Sequence, residues 1–227
     1  MFHTLDPMYW LFAIPGLILS MIATMYVKSA FAKYSQVKSA RGMTGAQAAY
    51  EMLLRSGVTD VKIEPVNGFL SDHYDPTSRT LRLSPDVFHS SSLAAIGVAC
   101  HEAGHALQHA GNYAWLGLRT SLVPAASIGS NFAYILFFLG LFVNSMMLVK
   151  LGIILFSVAV AFTIVTLPVE WNASARAKVA MVDHGIVTVA EREDASAVLN
   201  AAFLTYVAAA VSAILNLLYL ISRSRRR

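Results

Sequence analysis

Three residues in the stretch VACHEAGHALQHA, residues 98–110, have the types and the spacing of a catalytic zinc site. On an α-helix, His101 and His105 share one face about 6 Å apart along the axis, so both imidazoles can bind one Zn²⁺. Glu102 lies about 100° round the helix, where it can take a proton from a water molecule that attacks a carbonyl. The pattern predicts a zinc hydrolase with one Zn²⁺ per chain.

Other side chains in and near this helix fit a zinc site less well. His109 would lie about 12 Å from His101 along a regular helix, and it suits the helix C-terminus, where the dipole favours a cationic imidazole. Zinc peptidases with a third histidine ligand place it six residues after the second, where this chain has Gly111. Cys100 is typical of a small buried residue. His73, beside the turn residues Asp-Pro, favours a hairpin position over a metal ligand.

The third ligand must therefore come from elsewhere, and Glu170 in LPVEWNASARAK, residues 167–178, is the candidate. Pro168 predicts a helix start at this point, with Glu170 in the first turn. A carboxylate there could reach the metal. Alternatively, Glu170 only complements the positive N-terminus of that helix, and the spacing leaves both interpretations open.

Composition indicates a membrane protein. Of the 227 residues, 56% are hydrophobic and 13% charged, and there is one cysteine, which excludes an internal disulfide. Four apolar segments approach or exceed the roughly 20 helical residues that cross a bilayer, namely 7–27, 121–143, 150–167 and 202–222. We expect the two middle segments to form a tight hairpin. The basic end RSRRR favours contact with lipid headgroups and gives no reason to expect nucleic-acid binding.

The predicted fold is a mainly α membrane protein with about four transmembrane helices and a small α+β, gluzincin-like zinc-peptidase domain built around the HExxH helix. In the polar region, Thr44–Gln47 has the form of a helix capping box, and two strands flank the turn Asp75–Ser78. The predicted divisions are a transmembrane anchor at 1–27, an α+β catalytic region at 28–120, a transmembrane hairpin at 121–167, a helical region with the third ligand at 168–201, and a transmembrane helix with a basic tail at 202–227.

The chain also resembles a known family, the YugP-type membrane zinc metallopeptidases. The matching stretches cover most of the chain in one order: GFLSDHYDPTSRTLRLSPDV, IGVACHEAGHALQHA, SLVPAASIGSN, LGIILFSVAVAFTIVTLPVEWNASARA and LTYVAAAVSAIL. This family is similar to the HtpX and CAAX-prenyl endopeptidases, in which a helical HExxH and a downstream glutamate hold zinc. The resemblance implies that His101, His105 and Glu170 are ligands and that Glu102 is the catalytic base.

One position departs from the pattern of the HtpX relatives. They usually carry aspartate four residues after the ligand glutamate, placed to orient a zinc histidine, whereas this chain has Ser174. A hydroxyl can still hydrogen-bond an imidazole N–H, although without a charge. Ser174 and Asn172 are both candidates for this orienting role.

Substrate binding and catalysis need further residues. Peptidases of this design bind the substrate as an added β-strand on an exposed sheet edge, and the candidate edge is Arg79, Thr80, Leu81, Arg82 and Leu83. The alternative is that these residues form an ordinary hairpin strand. The oxyanion needs a positive or hydrogen-bonding group, for which the candidates are His184, Arg176 and Tyr74.

Basic residues near the membrane ends predict the orientation. Lys28, Lys33, Lys38 and Arg41 follow the first span and none precedes it, which favours an active site on the cytoplasmic side of a bacterial membrane. The basic tail at 223–227 favours the opposite orientation, because four spans place both chain ends on one side.

The predicted function is a membrane-embedded zinc endopeptidase with peptide or protein substrates that are membrane proteins or lie next to the membrane. The alternative is a non-catalytic scaffold or chaperone-like binder with a structural or vestigial zinc site. The intact Glu102 favours the enzyme, since structural zinc normally has four protein ligands and needs no base. The near absence of charges inside the spans disfavours a transporter.

Overall fold

The computed structural model describes residues 7–68 and 71–225. Within these ranges the chain forms seven α-helices and one three-stranded sheet. The elements are α1 Pro7–Tyr34, α2 Gly45–Arg55, β1 Lys62–Pro65, β2 His73–Asp75, β3 Thr80–Leu83, α3 Pro85–Phe88, α4 Leu93–Ala110, α5 Ala114–Phe142, α6 Met146–Asp183 and α7 Arg192–Arg225. The predicted mainly α fold with a small α+β unit is confirmed.

Four of the helices, α1, α5, α6 and α7, are long and apolar enough to cross a membrane, with mean hydropathies of 1.7 to 2.5. Their outward faces expose large apolar side chains such as Leu17, Phe132 and Ile154, as a lipid environment requires. α5 and α6 form the expected hairpin. The two helices approach closely at Gly152. A Cβ at this position would lie 2.7 Å from the Ala133 carbonyl oxygen, so only glycine, which has no Cβ, fits there.

The predicted helix start at Pro168 is wrong. α6 runs without interruption from Met146 to Asp183, and the predicted division between 167 and 168 falls inside it. Proline removes one backbone donor from a helix, but long membrane helices tolerate this loss. Glu170 is therefore far from a helix N-terminus, which excludes its interpretation as a dipole-complementing charge. The division between 120 and 121 likewise falls inside α5.

The sheet has the order β1-β3-β2, which corrects the predicted substrate edge. β3 is the central strand: Ile63 of β1 pairs with Leu81 in parallel, and Tyr74 of β2 pairs with Leu81 in antiparallel fashion. The segment 79–83 cannot accept an added strand, because β1 occupies the side that a simple hairpin would leave free. The free edges belong to β1 and β2. Phe69 and Leu70, where the first hairpin strand was predicted to begin, lie outside the described residues.

α4 lies at the centre of the soluble part of the molecule. Ser92 caps its N-terminus by accepting a hydrogen bond from the Ala95 N–H, and Gly111 follows its last residue. Its apolar residues form the largest buried cluster together with residues of α2, β3 and α6, among them Met52, Leu81 and Met181. Two glycines bring α4 against neighbouring backbones: a Cβ on Gly104 would lie 2.5 Å from the Ala173 carbonyl oxygen in α6, and a Cβ on Gly97 would overlap the Ala195 carbonyl oxygen in α7.

Candidate metal centre

His101, His105 and Glu170 meet at one point between α4 and α6. Glu170 Oε2 lies 3.2 Å from His101 Nε2 and 3.5 Å from His105 Nε2. One ligand atom from each of the three residues lies within 4.8 Å of the others, and the Glu170 side chain is only 2% exposed. The HExxH spacing brings the two imidazoles to one face of α4, and the contact at Gly104 brings α6 close enough for Glu170 to reach them.

This donor set fits zinc. Two imidazoles and one carboxylate are the ligands of many catalytic zinc sites, which use three protein ligands rather than four. With bonds of about 2.0–2.2 Å, neighbouring ligands of a tetrahedral zinc lie about 3.3 Å apart, close to the two separations from Glu170. Burial lowers the pKa of His105, but Glu170, Glu102 and Gln108 together raise it, so the net shift is upward. Zinc binds the neutral imidazole and the ionised carboxylate, so metal binding competes with protons at this site.

Glu102 lies beside this triad but outside it. Its side chain is partly exposed and lines a cavity together with His101, on the side of α4 that faces α1 and α7. The helix turns Glu102 away from the point where His101 and His105 converge, so it cannot bind the same metal in the way that they do. It is free to contact a water molecule or a substrate in the cavity.

Ser174 contacts the first histidine. Its Oγ lies 3.0 Å from His101 Nδ1, one helical turn beyond Glu170. Because Nε2 of the same ring faces Glu170, Nδ1 carries the proton when Nε2 binds a metal, and it donates to the hydroxyl. The serine thus holds the orientation of His101 without adding a charge.

Gln108 holds the second histidine, a contact that the sequence analysis missed. His105 Nδ1 donates to Gln108 Oε1 at 3.0 Å, and Gln108 Nε2 donates to the Val169 carbonyl oxygen at 2.7 Å and to Asn172 Oδ1 at 3.0 Å. Asn172 therefore acts on Gln108 and not directly on a histidine. The signal in the sequence was a glutamine three residues after His105, on the same side of α4, but its partners on α6 are 61 and 64 residues away.

Two other residues near the triad were also missed. Arg119 of α5 places Nη2 3.7 Å from Glu170 Oε1, on the side opposite the histidines, and its buried Nε has no hydrogen-bond partner among the described residues. Tyr206 of α7 interacts with both Glu102 and Glu170 and lines the cavity beside Glu102. Tyr206 lies in the predicted span 202–222 and Arg119 just before the predicted span 121–143, and the sequence offered no local signal for a catalytic position at either residue.

The predicted oxyanion candidates lie elsewhere. His184 directly follows α6, fourteen residues after Glu170 or about 21 Å along the axis, and its Nε2 lies 3.0 Å from Ser56 Oγ, so the structure does not bring it to the triad. Arg176 donates to Asn172 at 2.8 Å and stacks on Tyr113, which directs its charge away from the triad.

Tyr74 and Cys100 both lie outside the triad. The Tyr74 hydroxyl lies 2.9 Å from His109 Nδ1, and burial raises the pKa of this phenol. His109 therefore has a partner far from His101 and takes no part in the triad. Burial also raises the pKa of the Cys100 thiol, which keeps it protonated and unsuited to bind a metal.

Comparison with known proteins agrees with this geometry. Residues 9–225 match the family described as "Putative neutral zinc metallopeptidase". The chain belongs to this family. It is also 49% identical over 205 residues to a Bacillus subtilis (strain 168) protein described as "Putative membrane protease YugP", an alignment that covers 90% of this chain and 91% of that protein. No solved structure matches the chain.

Membership of this zinc metallopeptidase family confirms the resemblance seen in the sequence. Together with the four apolar helices, it identifies a multi-pass membrane protein of the zinc metallopeptidase class. The family match begins within α1 and ends with α7, so it includes all four apolar helices and the α+β part between them.

Proposed function

We propose that this chain is a membrane-embedded zinc endopeptidase that cleaves membrane proteins or proteins next to the membrane. One zinc ion would be held by His101, His105 and Glu170. The observation that carries the proposal is the convergence of Glu170 Oε2 on both imidazoles, with Glu102 left free beside them. A structural site would normally use a fourth protein ligand, and none of the described His, Cys, Asp or Glu residues joins the three.

Glu102 is the proposed general base. When bound, zinc would supply Lewis acidity and lower the pKa of water toward about 7. The Glu102 carboxylate accepts the proton of the attacking water and later delivers it to the leaving nitrogen of the cleaved peptide bond. Ser174 and Gln108 keep the two imidazoles in fixed orientations throughout.

Tyr206 is the proposed donor to the carbonyl oxygen of the scissile bond. Its phenol lies in the same cavity as Glu102, where a bound peptide carbonyl would lie within its reach. A preorganised donor of this kind stabilises the negative charge that develops on that oxygen. Arg119 has a different role, because it contacts Glu170 Oε1 and leaves Oε2 directed at the histidines.

The free edge of β2 forms one wall of the proposed substrate cleft. Asp72, just before β2, lines the cavity that contains Glu102. Tyr74, Pro76 and Thr77 line a second cavity, which contains His105 and Arg119. The β2 segment therefore passes the triad from one side to the other, and a substrate paired with this edge would cross in front of the metal site.

We place the catalytic side in the cytoplasm. Lys28, Lys33, Lys38 and Arg41 lie where α1 enters the soluble part, which the positive-inside rule assigns to the cytoplasm. Arg223 and Arg225 lie at the far end of α7 and favour the other orientation. Arg226 and Arg227 lie outside the described residues.

The proposal is tested by zinc content and proteolysis of the full chain in detergent, comparing wild type with Glu102→Gln and Glu170→Ala. We expect Glu102→Gln to keep zinc and lose cleavage, and Glu170→Ala to lose most of its zinc. Full activity in Glu102→Gln would contradict the mechanism. If wild type binds zinc but cleaves nothing, while Glu102→Gln still binds the same proteins, the chain is a non-catalytic binder instead.

A further inference from the structure

A cavity of about 340 Å³ opens beside Glu102, between α1, α4 and α7. His101, Glu102 and Tyr206 form its inner wall, so it is continuous with the proposed catalytic site. Most of the other lining residues belong to α1 and α7, two of the membrane-crossing helices. We call this space the α1–α7 pocket. Its volume lies within the range of about 300–1,000 Å³ in which proteins enclose small ligands.

Apolar side chains from three helices line part of the α1–α7 pocket. Val27 and Phe31 come from α1, Val98 from α4, and Val198 and Ala202 from α7. Val27, Phe31, Val98 and Val198 also pack in a buried apolar cluster with Ala30, Ala94 and Ala201. Polar groups other than the catalytic ones are Asp72, Lys28 and two threonines, Thr24 and Thr205.

The cavity on the other side of the triad has a mixed lining. It contains His105, Arg119, Thr77 and Thr120 together with Pro76, Leu116 and Val123. Of these two cavities, the α1–α7 pocket is the one that contains Glu102 and Tyr206.

We propose that the α1–α7 pocket is the specificity pocket of the enzyme and binds one large apolar side chain next to the scissile bond. This inference rests on the proposed function. The substrate class is then a polypeptide with a large apolar residue at the cleavage site, presented at the membrane surface where α1 and α7 emerge. The preference for large over small side chains comes from the larger apolar surface that a large side chain buries in the pocket.

Ala202 sets the size of the pocket. It lies on α7 one turn before Tyr206, and it is a small residue in the pocket wall. Phenylalanine at this position would occupy the space meant for the substrate side chain. Ala209 on the same helix is exposed and lies outside the pocket, so Ala209→Phe is a matched control. Thr24→Phe fills the pocket from α1, at an exposed position that tolerates a larger side chain.

The test uses the full chain in detergent and a peptide series with Phe, Leu, Ala or Asp on either side of the cleaved bond. For wild type we expect kcat/KM to be about 10- to 200-fold higher with Leu or Phe than with Ala at one of the two positions. In Ala202→Phe and Thr24→Phe this preference should shift toward Ala, with unchanged zinc content, while Ala209→Phe should behave like wild type.

A second readout does not depend on cleavage. In zinc-loaded Glu102→Gln, a peptide with a photoreactive phenylalanine at the preferred position should cross-link to α1 or α7 within the pocket. Cleavage by wild type without an apolar preference, or cross-links confined to the Arg119 side, would overturn the pocket assignment and leave the proposed function intact. Absence of any zinc-dependent cleavage would contradict the proposed function itself.

Discussion

Ser174 Oγ lies 3.0 Å from His101 Nδ1, one helical turn beyond Glu170 on α6. Removing the hydroxyl in Ser174→Ala should weaken zinc binding about 10- to 100-fold, because the imidazole loses the partner that fixes its orientation. Ser174→Asp should bind zinc at least as tightly as wild type. Zinc affinity measured by competition with a chelator checks both variants.

The control for this prediction is Ser196→Ala. Ser196 is also buried, but its Oγ has no hydrogen-bond partner among the described residues. Its removal should leave zinc affinity unchanged. Equal affinities for Ser174→Ala and Ser196→Ala would show that the contact with His101 does not support the metal site.

Gln108 links His105 to α6, and its replacement by leucine should affect both the metal site and stability. The imidazole loses its acceptor, and the Val169 carbonyl and Asn172 amide oxygens lose their donor. We expect zinc affinity to fall about 10- to 100-fold and the zinc-free protein to lose about 1–3 kcal/mol. Zinc titration and thermal unfolding measure the two effects, with the exposed Gln36→Leu as control.

Gly104→Ala should separate α4 from α6. The new Cβ would lie 2.5 Å from the Ala173 carbonyl oxygen, so one helix must move and Glu170 withdraws from the histidines. We expect loss of most zinc and a lower unfolding temperature. Gly117→Ala is the matched control, since its Cβ meets nothing within 4 Å and alanine favours the helix by about 1 kcal/mol. Wild-type zinc affinity in Gly104→Ala would disprove this role of the close approach.

Tyr206→Phe tests the proposed oxyanion donor. Loss of one hydroxyl should reduce kcat of the zinc-loaded protein about 10²- to 10³-fold, because the hydroxyl stabilises the charge that develops on the carbonyl oxygen. Tyr74→Phe serves for comparison, because its hydroxyl contacts His109 and should matter little for kcat. If Tyr74→Phe produced the larger loss, the assignment to Tyr206 would have to be abandoned.

Removal of zinc should lower the unfolding temperature of wild type. The metal binds only the folded arrangement of α4 and α6, and at a free concentration 1,000 times Kd it adds about 4 kcal/mol to stability. A chelator should have no such effect on His105→Ala, which lacks a ligand. Thermal unfolding in detergent with and without chelator makes the comparison, and equal shifts in both proteins would count against a metal held by these residues.

Features that depend on a single helix could be predicted from the amino-acid pattern alone. The spacing of His101, Glu102 and His105 fixes their directions on α4 whatever surrounds it, and span length follows from apolar composition. The caps of α2 and α4 were likewise predictable, because Thr44 and Ser92 act on residues three positions away. Local geometry is sufficient in each case.

The way in which the helices and strands meet could not be predicted from local patterns. The parallel pairing of β1 moved the free edge from β3 to β2, and the unbroken α6 placed Glu170 away from any helix end. Gln108, Arg119 and Tyr206 reach the site through approaches between helices that are distant in sequence. Such approaches depend on where small residues let backbones touch, as at Gly104, and no local pattern shows which carbonyl will lie opposite.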